Sequence, residues 1–345
     1  MLYIRADANS YIATGHIMRC MAIANEFRKN GEEVTFILAD HYACALLERN
    51  SYPYICLKSE WDNLDSEIDK MLELISKYSI KKLLIDTYYV TNKYLTILGE
   101  YTYTVYVDDL AKFCYPVHML INYNIYADQI VYETDYQKNG TKMLLGCQYV
   151  PLRDEFKAVQ EHLRDKVKKV FVSTGGSDRF NVAVKLLKFL TRYKSPDDVA
   201  FSVIVGSFNM HRKELQQLRD EHSNIELYEN IDRISEVMQE CDLAITAAGS
   251  TMYELCACKT PMITYTFADN QIEGAKSFEY HGIARYCGDV RKDENLIFEK
   301  ICKAIFEYKD NKSMRLESIV KMGQLVDGKG VERVYTEMFN CVPLC

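Results

Sequence analysis

The chain of 345 residues has one tryptophan, 6 prolines and 15 glycines, too little proline and glycine for long disordered linkers or low-complexity tails. No apolar run approaches the roughly 18 residues needed to cross a bilayer, and the N-terminus lacks the basic and apolar stretches of a signal peptide. The expectation is a cytoplasmic protein with no stable membrane insertion. Positive charge is also short, with 42 Lys+Arg against 49 Asp+Glu and a net charge of −7. That is the wrong sign for a broad phosphate-backbone footprint and argues against nucleic acid as a partner. The 12 cysteines include no C-x-x-C. The closest pair, Cys256 and Cys258, has one residue between them and no histidine nearby, so neither a redox motif nor a zinc site is expected.

What remains is an ordinary globular composition, 48% hydrophobic and 26% charged, long enough for about two domains. Short β-rich runs alternate with helical stretches from the start, which predicts an α/β chain with largely parallel sheets. Strands are expected at Leu2 to Ile4, Val34 to Leu38, Tyr54 to Leu57, Lys82 to Ile85, Tyr103 to Val107 and Met119 to Ile121. Helices are expected at Ile17 to Phe27, Asp62 to Tyr78 and Thr91 to Tyr101. The alternation pauses near Pro151 and resumes at Val170, so a domain boundary is placed there, giving domains over 1–150 and 151–345, the last helix being a candidate to return to the first. The second half repeats the pattern, including a strand at Val170 to Ser173, a helix at Asn181 to Tyr193, a strand at Leu243 to Thr246 and a helix at Thr251 to Cys258. No short-period repeat is present.

Three stretches carry chemistry. In the first, Ile4-Arg5-Ala6-Asp7-Ala8 leads through Thr14-Gly15-His16 to Arg19-Cys20. In an open α/β sheet the loop after a strand lies at the ligand-binding edge, and Gly15 would let the backbone turn tightly into the helix. An imidazole there suits a general base, because the group titrates near neutrality and the positive end of a helix disfavours its charged form. Helix capping or packing by His16 is the plainer alternative. In the second stretch, Ser173-Thr174-Gly175-Gly176-Ser177-Asp178 joins a strand to a helix, either as a diphosphate cradle or as a tight turn. In the third, Gly249-Ser250-Thr251 starts a helix that could face phosphates. Glu254 can accept from ribose hydroxyls, and Asn270-Gln271 follow the next strand. Helix capping and a surface carboxylate explain the same residues without a ligand.

Together with Asp86-x-Tyr88, Val107-Asp108-Asp109-Leu110, Asn122 and Leu152-Arg153-x-Glu155-Phe156, these motifs resemble the UDP-2,4-diacetamido-2,4,6-trideoxy-β-L-altropyranose hydrolases of pseudaminic acid biosynthesis. Spore-coat polysaccharide proteins share the pattern, and the second half resembles MurG-type glycosyltransferases. The resemblance implies a GT-B architecture of two Rossmann-like domains facing across a cleft, with a UDP-sugar as substrate, UDP as product and no cofactor or metal. His16 matches the family's catalytic base. Arg153, Gly175, Gly176, Gly249, Ser250, Thr251 and Glu254 match UDP-side positions. Arg5, Asp7, Gly15, Arg19, Asp86, Tyr88, Asp109, Asn270 and Gln271 match sugar or cleft positions. One departure is Ala13, where the family usually has glycine. An inverting glycosyltransferase using a UDP-sugar donor and a non-catalytic nucleotide-sugar-binding protein are the alternatives.

Overall fold

In the computed structural model, which describes residues 1–345 except 10, 131, 133–135, 137–138, 158, 160–162, 193–197 and 342–345, two all-parallel sheets organise the chain. One unit comprises Met1–Arg153 with Lys329–Cys345, the other Asp154–Gly328. The division falls beside Pro151. Residues 329–345 count with the first unit.

The first unit's sheet contains β1 (Leu2–Ala6), β2 (Val34–Leu38), β3 (Tyr54–Cys56), β4 (Lys82–Asp86), β5 (Tyr103–Val107), β6 (Met119–Asn122) and β7 (Lys142–Leu145). Their spatial order is β3-β2-β1-β4-β5-β6-β7. The helices are α1 (Gly15–Lys29), α2 (Cys44–Arg49), α3 (Ile68–Tyr78) and α4 (Asn92–Gly99). Strands covered on both faces read as continuous apolar runs, as in Leu83-Leu84-Ile85 of β4. Ile68, Met71 and Ile75 of α3 recur at helical spacing and pack with Leu95 and Leu98 of α4 against Leu83 and Ile85. Each such side chain contributes about 2 kcal/mol by leaving water. The helix expected from Asp62 instead opens as a 3₁₀ turn over Leu64–Glu67, where the buried Glu67 carboxylate is drawn inward to Arg5.

The second unit repeats the plan with β8 (Lys169–Ser173), β9 (Ala200–Val205), β10 (Ile225–Glu229), β11 (Leu243–Ala247), β12 (Met262–Thr266) and β13 (Ala284–Asp289). The order is β10-β9-β8-β11-β12-β13. Its helices are α5 (Val182–Arg192), α6 (Arg212–Glu221), α7 (Ile234–Glu240), α8 (Thr251–Cys258), α9 (Ile272–Tyr280), α10 (Glu294–Asp310) and α11 (Lys312–Leu325). Tyr193, the expected end of α5, lies outside the described residues. The final helix, α12 (Gly330–Phe339), sets Tyr335 edge-on against Phe27 of α1 at 4.9 Å between ring centres. A side chain at Gly330 would overlap the backbone of Val150, so only glycine permits that approach.

In both sheets the strand order reverses at one point, between β1 and β4 and between β8 and β11. The crevice outside the carboxyl ends at such a reversal is where open α/β sheets bind ligands. The loops after β1 and β4, and after β8 and β11, carry the motifs singled out in the sequence. Among the described residues, no helix is long and apolar enough to cross a membrane.

Candidate active site

His16 is the second residue of α1 and Asp86 the last of β4, so the β1/β4 reversal brings together residues 70 positions apart. Nδ1 of His16 lies 2.6 Å from Oδ1 of Asp86. A carboxylate at that distance accepts from Nδ1, so the tautomer with Nδ1 carrying the proton is favoured and its unprotonated nitrogen is Nε2. Arg19, one turn further along α1, donates Nε to Oδ2 of the same carboxylate at 2.6 Å and Nη2 to Oδ1 at 2.5 Å. Nη2 also approaches Nδ1 of His16 at 3.1 Å. Since both nitrogens carry hydrogens once Nδ1 donates to Asp86, this is a close contact and not a second hydrogen bond.

Burial alone would raise the Asp86 pKa, but Arg19 and His16 outweigh it and hold the carboxyl well below the usual carboxylate range. Arg19 also reaches Oδ2 of Asp109 at 2.7 Å and donates to the Tyr123 hydroxyl. Removing one member of a buried, hydrogen-bonded charge group costs about 3–5 kcal/mol. The ring of Tyr88 meets that of His16 edge to face at 4.4 Å. His16, Arg19, Asp86, Tyr88 and Asp109 thus form one constellation. Asp86 was expected at the sugar; its carboxylate is instead wholly buried and in contact with His16 and Arg19.

Arg5 and Asp7 also depart from the expected place at the sugar. Arg5 is fully buried, with Nε and Nη2 on the two oxygens of Glu67 at 2.7 and 2.9 Å and Nη1 on Asp7. Asp7 accepts the Ala39 amide at 2.8 Å, and Glu67 also takes the hydroxyls of Ser59 and Tyr94 at 2.8 and 2.9 Å. These residues brace the loops after β1, β2 and β3 from within. Gly15 is not the tight-turn residue either. A side chain there would meet nothing within 4 Å, and the left-handed turn falls on Ala13, at φ 55°.

In the second unit, Gly175 adopts φ 81° in the loop after β8, a conformation that favours glycine. Asp178 then accepts the amides of Val182 and Ala183 at 2.8 and 3.0 Å. Those amides belong to the first turn of α5, so its N-terminus is already satisfied and the expected helix-end contribution to a phosphate is not open there. Burial pushes the Asp178 pKa up, against those same amides. The start of α8 differs. Ser250 stands at its N-cap with no side-chain capping bond; the amides of Met252 and Tyr253 donate to the Gly249 and Ser250 carbonyls, both at 3.0 Å, and Gly249 and Ser250 are exposed. Glu254 lies one turn along. Gln271 accepts the Phe267 amide through Oε1 at 2.9 Å, shaping the loop in which Asn270 is exposed. Arg153, half-buried, ends the first stretch of the first unit.

Residues 169–327 match the glycosyltransferase family 28 C-terminal domain, nearly the whole of the second unit. The match lies within the second unit and shows what that unit is similar to. A curated relative from Campylobacter jejuni, named UDP-2,4-diacetamido-2,4,6-trideoxy-β-L-altropyranose hydrolase, is 27% identical over 77% of this chain and 92% of its own length. A Helicobacter pylori protein named pseudaminic acid cytidylyltransferase and UDP-2,4-diacetamido-2,4,6-trideoxy-β-L-altropyranose hydrolase is 25% identical over 83% of this chain. This chain spans about half of that relative, 48% of it. The crystal structure of Acinetobacter baumannii MurG superposes with a TM-score of 0.69 at 14% identity, covering 99% of both chains. At that identity the likeness shows the fold alone, and the fold is GT-B. The family resemblance carried by the sequence motifs stands.

Within the second unit, the sequence reading missed that Asp178 occupies the start of α5. Asp178 lies four residues before Val182, and that spacing was the available signal. In the first unit it missed Glu67 and Tyr123, which come from other elements and touch the site only through the fold.

Proposed function

We propose that the protein hydrolyses a UDP-sugar at the anomeric carbon–oxygen bond with inversion, releasing UDP and the free sugar. The observation that carries this reading is the 2.6 Å bond from Nδ1 of His16 to Asp86, which leaves Nε2 to accept a proton from water. Water oxygen attacks the anomeric carbon and its proton passes to Nε2. The bond from that carbon to the phosphate oxygen breaks, its electron pair leaving on UDP. The exposed start of α8 turns a positive helix end to the diphosphate, and Glu254, one turn along, accepts from ribose hydroxyls. The names of the relatives support UDP-2,4-diacetamido-2,4,6-trideoxy-β-L-altrose as the substrate class, which puts the product in nonulosonic acid synthesis. Cytoplasmic action fits a soluble nucleotide sugar.

Release of UDP from a panel of UDP-sugars with no acceptor added tests the reading. His16→Ala and His16→Asn are expected to lower turnover by about 10²-fold or more while UDP still binds. Turnover that ignores His16 removes the proposed base. Release that requires an added sugar or lipid acceptor makes the protein a transferase.

A further inference from the structure

On the first unit, three rings from three different loops stack in a chain. Tyr11 follows β1, Trp61 follows β3 and Tyr89 follows β4. Tyr11 lies against Trp61 nearly parallel, at 5.9 Å between ring centres and 19° between planes, and Trp61 meets Tyr89 edge to face at 5.1 Å. The chain continues along the backbone to Tyr88, whose ring touches His16.

These rings are not core. Tyr11 is 78% exposed, Tyr89 38%, and Trp61 is half-buried. The loop carrying Tyr11 is nevertheless built. Asn9, buried, accepts the amides of Tyr11 and Ile12 through Oδ1 at 2.9 and 3.1 Å and pairs with Ala13 as an isolated bridge. Its Nδ2 is buried with no hydrogen-bond partner among the described residues, an arrangement that a ligand acceptor would complete. Exposed aromatics held in fixed positions by one another and by an ordered loop are the chemistry that receives a flat, carbon–hydrogen-rich surface.

We propose that Tyr11, Trp61 and Tyr89 form an aromatic platform that receives the apolar face of the sugar of the nucleotide sugar, and so selects a 6-deoxy, 4-acetamido sugar over one with hydroxyls at C4 and C6. The inference rests on the UDP-sugar reading above and adds to it the residues that choose the sugar. In UDP-2,4-diacetamido-2,4,6-trideoxy-β-L-altrose C6 is a methyl and the C2 and C4 hydroxyls are replaced by acetamido groups, so the ring offers an indole methyl groups where UDP-N-acetylglucosamine offers the hydroxyls of C4 and C6. A pocket group of that size is worth about tenfold or more in discrimination. All three loops lie at the carboxyl edge of the sheet, the edge that also carries His16.

Trp61 is the chain's one tryptophan, so its emission reports on this platform alone. Titrating the His16→Asn protein, whose expected slow turnover lets binding be read first, with UDP-2,4-diacetamido-2,4,6-trideoxy-β-L-altrose is expected to shift that emission. UDP alone is expected to leave it unchanged. Trp61→Ala should raise KM for the trideoxy substrate about tenfold with the inhibition constant of UDP unmoved, and should narrow the preference over UDP-N-acetylglucosamine. Trp61→Phe, which keeps a ring, should recover most of the loss. Emission unchanged by the sugar, or KM unchanged in Trp61→Ala, overturns the platform. Emission that shifts instead with protein concentration or with anionic vesicles overturns it too, giving the rings to a second copy or to a membrane surface. If the wild type releases no UDP from any sugar, the hydrolase reading fails, and the emission titration still decides whether the platform takes a sugar.

Discussion

Nδ1 of His16 stands 2.6 Å from Oδ1 of Asp86, and the same carboxylate is gripped through both its oxygens by Arg19. The pairing sets which ring nitrogen carries the proton, and therefore which one can take a proton from water. Asp86→Asn should lower kcat for UDP release by about 10²–10⁴-fold, the range seen when a histidine loses the carboxylate that orients it. UDP affinity, measured by calorimetry, should change little, because the residues proposed to hold the diphosphate and ribose belong to the other unit.

The same carboxylate gives a pH signature. Its pKa in the folded protein is lowered, so the unfolded chain binds more protons in acid and the contribution of Asp86 rises with pH. That contribution is fully present above an unfolded carboxylate value of about 4 and is lost as the pH falls further toward the folded value. Denaturant unfolding of the wild type and Asp86→Asn should therefore show a gap that is constant from pH 8 to pH 6 and narrows at pH 3. A gap that widens in acid contradicts the assigned direction.

Ala13 sits at φ 55°, a conformation that costs a side-chain-bearing residue about 1–2 kcal/mol. Glycine removes that cost and adds up to about 1 kcal/mol of chain entropy to the unfolded state. Ala13→Gly should accordingly stabilise the protein by roughly 0.5 kcal/mol, seen as a modest rise in Tm. A fall in Tm means the loop does not turn at this residue.

Two carboxylates in the second unit should separate stability from binding. Asp178 caps α5 through two amides, and Asp178→Ala should cost about 1–2 kcal/mol of stability with UDP affinity largely retained. Glu254→Gln should do the opposite, weakening UDP about tenfold, as loss of a charge-assisted hydrogen bond does, with Tm unchanged. Exchange of these two phenotypes would reverse the assignment of the two loops.

UDP release should survive EDTA. Asp86 and Asp109, the carboxylates beside His16, are both bound to the Arg19 guanidinium, whose charge opposes a divalent cation at that place. In the proposed reaction the charge leaving on UDP is met instead by the positive end of a helix. Activity lost in EDTA and restored by Mg²⁺ contradicts this.

Much of the architecture was legible because parallel, two-face-covered strands carry strong local signals. Val34–Leu38, Tyr103–Val107, Ala200–Val205 and Thr251–Cys258 end where their residue patterns end. The less apolar β13, with its Arg285 and Gly288, and the short β7 carry weak signals, and neither was placed. The turn after Asp62 was read as helix because its residues suit one. A buried pairing with Arg5, 62 positions away, bends Glu67 off that course.

Sequence alone determined the tandem α/β plan, the glycine-rich loops and the position of His16 at a helix start, since each depends on residues near one another along the chain. Tertiary structure decided the roles. Asp86 is buried against His16 and Arg19, Arg5 is an internal brace, and Asp178 caps the start of α5 while Ser250 makes no side-chain cap at α8. These roles rest on charges and hydrogen bonds between residues that meet only when parallel strands order themselves around a reversal point. The energy of such a meeting depends on burial and distance, neither of which is written in the local pattern.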